Sequence, residues 1–171
     1  MEMSGTPIEV RDLGAEDWER VAEIYRAGLA TGNATFETAV PSWEEWDRAH
    51  LASCRLVAVR DGRVVGWGAL SPVSGRCVYG GVAEVSVYID EAARGAGIGL
   101  HLLHALVRAS EKAGLWTLQA GIFPENVASV RIHEKAGFRL VGRRVRLGKL
   151  EDRWRDVLLL ERRSESVGTG A

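Results

Sequence analysis

At 171 residues, with 46% hydrophobic and 26% charged side chains, the chain has the length and balance of one soluble globular domain with a real core. A formal net charge of −1 removes the electrostatic case for a nucleic-acid partner or an anionic membrane surface. No apolar run approaches the ~20 residues of a membrane span, because Leu56 to Leu70 is broken by Arg60, Asp61 and Arg63.

The N-terminal residues have no charged-then-apolar leader pattern, and Cys54 and Cys77 form neither a CxxC nor a zinc-like set. The expectation is a cytoplasmic protein with free thiols and no metal. Ile8 to Leu13 alternates and reads as a strand. Ala15 to Ala30 places Trp18, Val21, Ile24, Tyr25 and Leu29 at helical spacing. A polar loop, Thr31 to Thr38, carries the aromatic Phe36. Ser42 and Glu45 fit a capping box opening a helix to about Ser53. Leu56 to Arg60 and Val64 to Leu70 flank Asp61-Gly62, a two-residue hairpin turn. Pro72 to Gly81 reads as a loop and Val82 to Ile89 as the central strand. A glycine-rich turn follows, then a helix from Leu100 to Ala113 that ends at Gly114. Leu115 to Ile122 has buried strand character, and Val127 to Ala136 is a helix stopped by Gly137. Phe138 to Leu147 and Trp154 to Arg162 form a closing hairpin. The expected architecture is an α/β mixed sheet of about seven strands with four helices, a single domain over residues 1–163. Residues 164–171, small and polar, read as a flexible tail.

The turn at Arg94 to Leu100 organises the rest. Gly95, Gly97 and Gly99 let a ligand approach the main chain, and the following helix adds its unpaired N-terminal donors. Strand, glycine turn and helix therefore suit an anion, although glycines in such a turn also serve as a plain tight connection. Leu100 stands where a dinucleotide fingerprint needs its third glycine, and no Gly-Lys-Ser/Thr ends the turn, which excludes a P-loop.

Arg94-Gly-Ala-Gly-Ile-Gly99 resembles the Arg/Gln-x-x-Gly-x-Gly/Ala motif of the GNAT superfamily of acetyl-CoA-dependent N-acetyltransferases, and Asn126 with His133-Glu-Lys-Ala-Gly-Phe138 is similar to its second block. The resemblance covers nearly the whole chain and implies a GNAT-type fold with central strands splayed around acetyl-CoA. It implies that Arg94, Gly95, Ala96, Gly97, Ile98, Gly99 and Leu100 hold the pyrophosphate of coenzyme A. Backbone of Val87, Tyr88 and Ile89 would pair with the pantetheine arm, and Asn126 would touch it from the far side. More narrowly, Ala34-Thr-Phe-Glu37, Val82 to Ile89, Gly121 to Asn126 and Trp154-Arg-Asp156 resemble the phosphinothricin acetyltransferase family. Its members acetylate the α-amine of phosphinothricin, methionine sulfoximine or sulfone, and some act on arsenic analogues. A homodimer and a role in detoxification are further implications.

Glu84 shares a strand face with Val82, Ser86 and Tyr88. A carboxylate amid apolar neighbours is either solvated or ion-paired, or it handles protons, and the resemblance favours a base for the acceptor amine. Arg76 is either a surface arginine or a fork for the acceptor carboxylate. The resemblance favours the fork and adds Ser74, Gly75 and Phe36 as substrate contacts. Many family members carry Pro-Trp-Arg/Lys where this chain has Pro72-Val-Ser74. His133, where much of the superfamily has tyrosine, is either a packed helix residue or the acid that protonates the leaving thiolate. The expected reaction is direct attack in a ternary complex. Acetylation of a peptide or protein N-terminus or of a polyamine, and non-catalytic acetyl-CoA binding, are the alternatives.

Overall fold

A computed structural model describes residues 5–170. Among them, seven strands form one sheet in the order β1-β2-β3-β4-β5-β7-β6. The strands are β1 (Glu9–Asp12), β2 (Leu56–Arg60), β3 (Arg63–Pro72), β4 (Val82–Ile89), β5 (Thr117–Ile122), β6 (Arg139–Leu150) and β7 (Arg153–Arg163). The four α-helices are α1 (Trp18–Ala30), α2 (Trp43–Ala49), α3 (Ile98–Lys112) and α4 (Val127–Lys135). The mixed α/β architecture expected from the sequence is the one observed.

The local signals act where they stand. Ser42 Oγ accepts from the Glu45 N–H at 3.2 Å while Glu45 Oε2 accepts from the Ser42 N–H at 3.0 Å, closing the capping box of α2. Asp61 and Gly62 both take positive φ, +53° and +72°, the geometry that turns β2 into β3 without splaying the strands. Several boundaries differ from expectation, three of them with a cause visible in the contacts. The α2 helix stops at Ala49, because His50 is extended and the Arg55 guanidinium takes up the carbonyls of Asp47, His50 and Leu51. The α3 helix begins at Ile98, whose side chain is buried in the core. The expected loose tail begins on a fastened residue: Ser164 is buried, its N–H donates to the Trp116 carbonyl at 2.8 Å and its hydroxyl to Glu111 at 2.9 Å. Met1 to Ser4 and Ala171 lie outside the described residues.

Helices cover both faces of the sheet. Leu102, Leu103 and Leu106 of α3 pack on Leu70, Val85, Leu118 and Leu160, while Val21, Ile24 and Tyr25 of α1 pack with Trp46 and Trp67. Gly28 of α1 meets the Tyr88 ring where any Cβ would lie 2.6 Å from it, so the helix rides directly over the end of β4.

The feature that matters for function is a gap inside the sheet. The parallel pairing of β4 with β5 runs from Val82↔Thr117 to Glu84↔Gln119 and stops there. Beyond it β4 stays with β3 as far as Gly66↔Ile89, and β5 stays with β7 as far as Ile122↔Leu158. Two strand edges thus face each other unpaired, and their main-chain groups need a partner.

Candidate active site

The gap opens into a cavity of about 1040 Å³. Its floor is Glu84 to Ile89 of β4, one wall is Ala120 to Phe123 with α4, and the other is the loop Asn33 to Phe36. The glycine turn closes one end. No cysteine lines it, and among the described residues no cluster of His, Cys, Asp or Glu suits a metal ion.

The turn is built as a cradle. Gly95 (φ +81°) and Gly97 (φ +78°) adopt the left-handed conformation, and a Cβ on either would meet nothing within 4 Å. Gly97 is the N-cap of α3, and His101 is the first residue of the helix to find its partner, donating to Gly97 O at 3.1 Å. The amides before it have no acceptor within the helix and stand at the positive end of a fifteen-residue helix, an arrangement that suits a phosphate-type anion. The approach to the turn is fixed by Asp90, which accepts from the Ala92 N–H and pairs with Arg20 of α1, and by buried Ala93 and Ile98 on either side.

Glu84 is the last residue of β4 paired to β5, so its half-buried carboxylate sits at the apex of the gap, and Oε1 lies 3.7 Å from the position a Cβ on Gly121 would take. Tyr88 turns away and stacks on Tyr25 and Trp67, each ring 4.9 Å distant, and burial pushes its phenol pKa well up. Asn126 caps α4, accepting from the Ser129 N–H, and its amide donates to the Asn33 carbonyl at 3.3 Å.

His133 lines the cavity but is buried, and that burial lowers its pKa against a weaker opposing hydrogen bond. Its Nδ1 lies 2.7 Å from the Ser129 carbonyl, a contact only a protonated Nδ1 can make, so the neutral ring presents an unprotonated Nε2. This is poor equipment for the acid role expected of it.

The structure does not gather all the expected substrate residues. Phe36 lines the cavity, its ring edge-on to Phe123 at 5.0 Å. Ser74, Gly75 and Arg76 lie outside it: Ser74 lines a separate groove of about 600 Å³, and the Arg76 guanidinium stacks 5.6 Å over Tyr79. Gln119 joins the two places, lining the groove and pairing in register with Glu84. One residue escaped sequence reasoning. Arg155, part of the quoted Trp154-Arg-Asp156, reaches under the Asn33 loop, although its motif carries no sign of that contact.

The family model described as "Acetyltransferase (GNAT) family" matches residues 18–138. The chain belongs to the GNAT acetyltransferase family. This GNAT protein is 34% identical over 151 residues (85% of this chain, 93% of the other) to a Bacillus subtilis strain 168 protein provisionally named a phosphinothricin acetyltransferase. It is 32% identical over 161 residues (89% and 92%) to the L-methionine sulfoximine/L-methionine sulfone acetyltransferase of Pseudomonas aeruginosa. Its fold matches a GNAT superfamily phosphinothricin acetyltransferase from Sinorhizobium meliloti, solved with acetyl-CoA, with TM-score 0.86 at 29% identity over 96% of this chain and 92% of that one. The protein is an acyltransferase that draws its acetyl group from acetyl-CoA, and the open glycine cradle fits that donor's phosphates.

Proposed function

We propose that this GNAT enzyme acetylates the α-amine of a small free amino acid analogue of the phosphinothricin or methionine sulfoximine type, in a ternary complex with acetyl-CoA. The observation that carries the proposal is Glu84 at the apex of the split between β4 and β5, facing a cavity with an anion cradle at its far end. The names of the relatives support the substrate class.

The amides from Gly95 to Leu100, with Arg94 beside them, hold the pyrophosphate. The unpaired edge of β4 at Val87, Tyr88 and Ile89 pairs with the amide-bearing arm as an added strand would, and Asn126 bounds it opposite. An α-ammonium has a pKa well above neutrality, so one proton passes to Glu84, directly or through a water, before the nitrogen can attack. The neutral amine attacks the thioester carbon, its carbonyl polarised by the β4 amides near Val87. The C–N bond forms and the C–S bond breaks. The nitrogen's second excess proton leaves to solvent, and the proton held by Glu84 passes through water to the thiolate, which restores the base. No acetyl-enzyme is needed: Cys54 is buried with a raised pKa, and Cys77 lies outside the cavity. His133 acts as a neutral wall residue.

The loop bearing Ser74, Gly75 and Arg76 forms the carboxylate-binding end, completed in a homodimer; Val78 (64% exposed) and Tyr79 on the same loop supply apolar surface for contact. The reaction runs in the cytoplasm as detoxification, where acetyl-CoA is made and free thiols stay reduced. The groove past Gln119 favours one second reading, a longer acceptor such as a peptide N-terminus. Thiol release with phosphinothricin and methionine sulfoximine against short peptides tests both. Saturable turnover with the amino acids supports the proposal; turnover with peptides alone overturns it.

A further inference from the structure

We propose that Arg155 is a positioning residue that sets the acceptor loop, residues 31–37, against the mouth of the acetyl-transfer cavity. It comes from β7, far from the loop in sequence, and its side chain is only 7% exposed. Its Nη1 donates to the Gly32 carbonyl at 2.7 Å, and its Nη2 donates to Asn33 Oδ1 at 2.7 Å and to Glu125 Oε2 at 3.2 Å. The guanidinium plane lies 4.1 Å over the Phe123 ring, and Phe123 is the residue against which Phe36 rests.

The cross-strand partner of Arg155 completes the seat. Gly148 of β6 pairs with Arg155, and any Cβ on Gly148 would lie 3.0 Å from the Phe36 ring. The β6–β7 hairpin thus touches the loop twice, through a long cation at Gly32 and Asn33 and through a missing side chain at Phe36. On the opposite side Asn126 ties the Asn33 carbonyl to the start of α4. The loop is clipped between the hairpin and the wall that bounds the acetyl donor, and Asn33, Ala34, Thr35 and Phe36 face the cavity.

Stability alone does not account for such a residue. Among the described residues the buried Arg155 Nε finds no partner, and the carboxylate that pairs with the guanidinium, Glu125, is itself 53% exposed. An apolar side chain of similar volume generally does as well or better in such a place. What an apolar side chain cannot do is hold two specific loop acceptors in a fixed plane. Arg155 exchanges stability for a defined loop position. The acceptor side of this inference rests on the proposed amino-acid reaction, whereas the loop position does not.

The test uses Arg155→Met, which keeps the bulk, Arg155→Lys, which keeps the charge without the fork, and Asn33→Ala, which removes one loop acceptor and leaves the buried cation in place. With methionine sulfoximine as acceptor, kcat/KM falls about tenfold or more in Arg155→Met, mainly through KM, while the coenzyme A dissociation constant stays within about twofold. Lysine restores only part of the loss, and Asn33→Ala shows a smaller loss of the same kind. Hydrogen exchange of the amides of residues 31–37 accelerates in the Arg155 variants, and α3 amides keep their native protection. If the native enzyme turns over no amino acid, the substrate proposal fails and hydrogen exchange alone judges Arg155. If Arg155→Met does not fold, Asn33→Ala carries the test by the same two readouts. Unchanged loop exchange and acceptor KM, or coenzyme A affinity lost in parallel with acceptor affinity, would overturn the inference.

Discussion

Replacing Gly97 with alanine separates the anion cradle from simple chain stiffness, because the fold supplies a matched control. Gly97 and Gly114 both sit at helix ends with positive φ, +78° and +82°, and at both a new Cβ would meet nothing within 4 Å. Gly97 opens α3 in the turn, whereas Gly114 follows its C-terminus and lines neither the cavity nor the groove. Each alanine forces a left-handed conformation on a residue with a Cβ, a cost of about 1–2 kcal/mol. For a chain of this size each kcal/mol lowers Tm by roughly 2–4 °C. Both variants should therefore melt several degrees early and by similar amounts. They should differ in binding. The Gly97 methyl projects into the space where phosphate oxygens approach the amides, and a hydrogen bond to a charged group contributes about 1.5–3 kcal/mol. Losing one weakens coenzyme A by about tenfold to a hundredfold. Calorimetric titration of coenzyme A into each variant, beside thermal melts, reads both quantities. If Gly97→Ala binds coenzyme A as tightly as Gly114→Ala, the turn is only a connection and the cradle argument fails.

Other outcomes follow from the same geometry. Glu84→Gln keeps the shape of the cavity apex and removes the proton acceptor, so thiol release should slow by about 10²–10⁴-fold with coenzyme A affinity intact; turnover within threefold of native would remove Glu84 as base. His50 and His133 both have pKa values lowered from 6.5 by burial, so each takes up a proton more readily unfolded than folded. Their effect on stability is absent above that value and appears as a loss when pH falls below it, levelling off beneath the folded pKa. Melting temperature should decline from about pH 6.5 to pH 5, and His133→Gln should flatten that decline; an identical slope in the variant would mean His133 is not buried neutral.

Much of this was written in local sequence. The Ser42–Glu45 box, the Asp61-Gly62 turn and the alternation of β4 set their elements because each depends on residues a few positions apart. The glycine turn was legible for a similar reason: its proposed role rests on missing side chains, and a missing Cβ can be read from one line of residues. Tertiary partners decided what was not legible. The end of α2 depends on Arg55 reaching back to three carbonyls, and the fastened Ser164 depends on Trp116 and Glu111 from other elements. Glu84 stood out as a carboxylate in an apolar strand, but its place at the apex follows from where β4 and β5 part, which no spacing encodes. His133 stands where much of the superfamily has tyrosine, and burial and the Ser129 carbonyl, which no spacing encodes, set its protonation. Arg76 was read as a surface arginine or a fork for the acceptor carboxylate and stands over Tyr79, outside the cavity, while the arginine that touches a cavity wall is Arg155.

The central claim is that Glu84 receives the proton of an α-amine lying at the apex of the split sheet. Methionine sulfoximine tests this directly because it carries two nitrogens, the α-amine and the sulfoximine nitrogen. After incubation with acetyl-CoA, NMR of the product should show the acetyl group on the α-amine alone, with formation lost in Glu84→Gln. Acetyl on the sulfoximine nitrogen, or equal product from the Glu84 variant, would contradict the account.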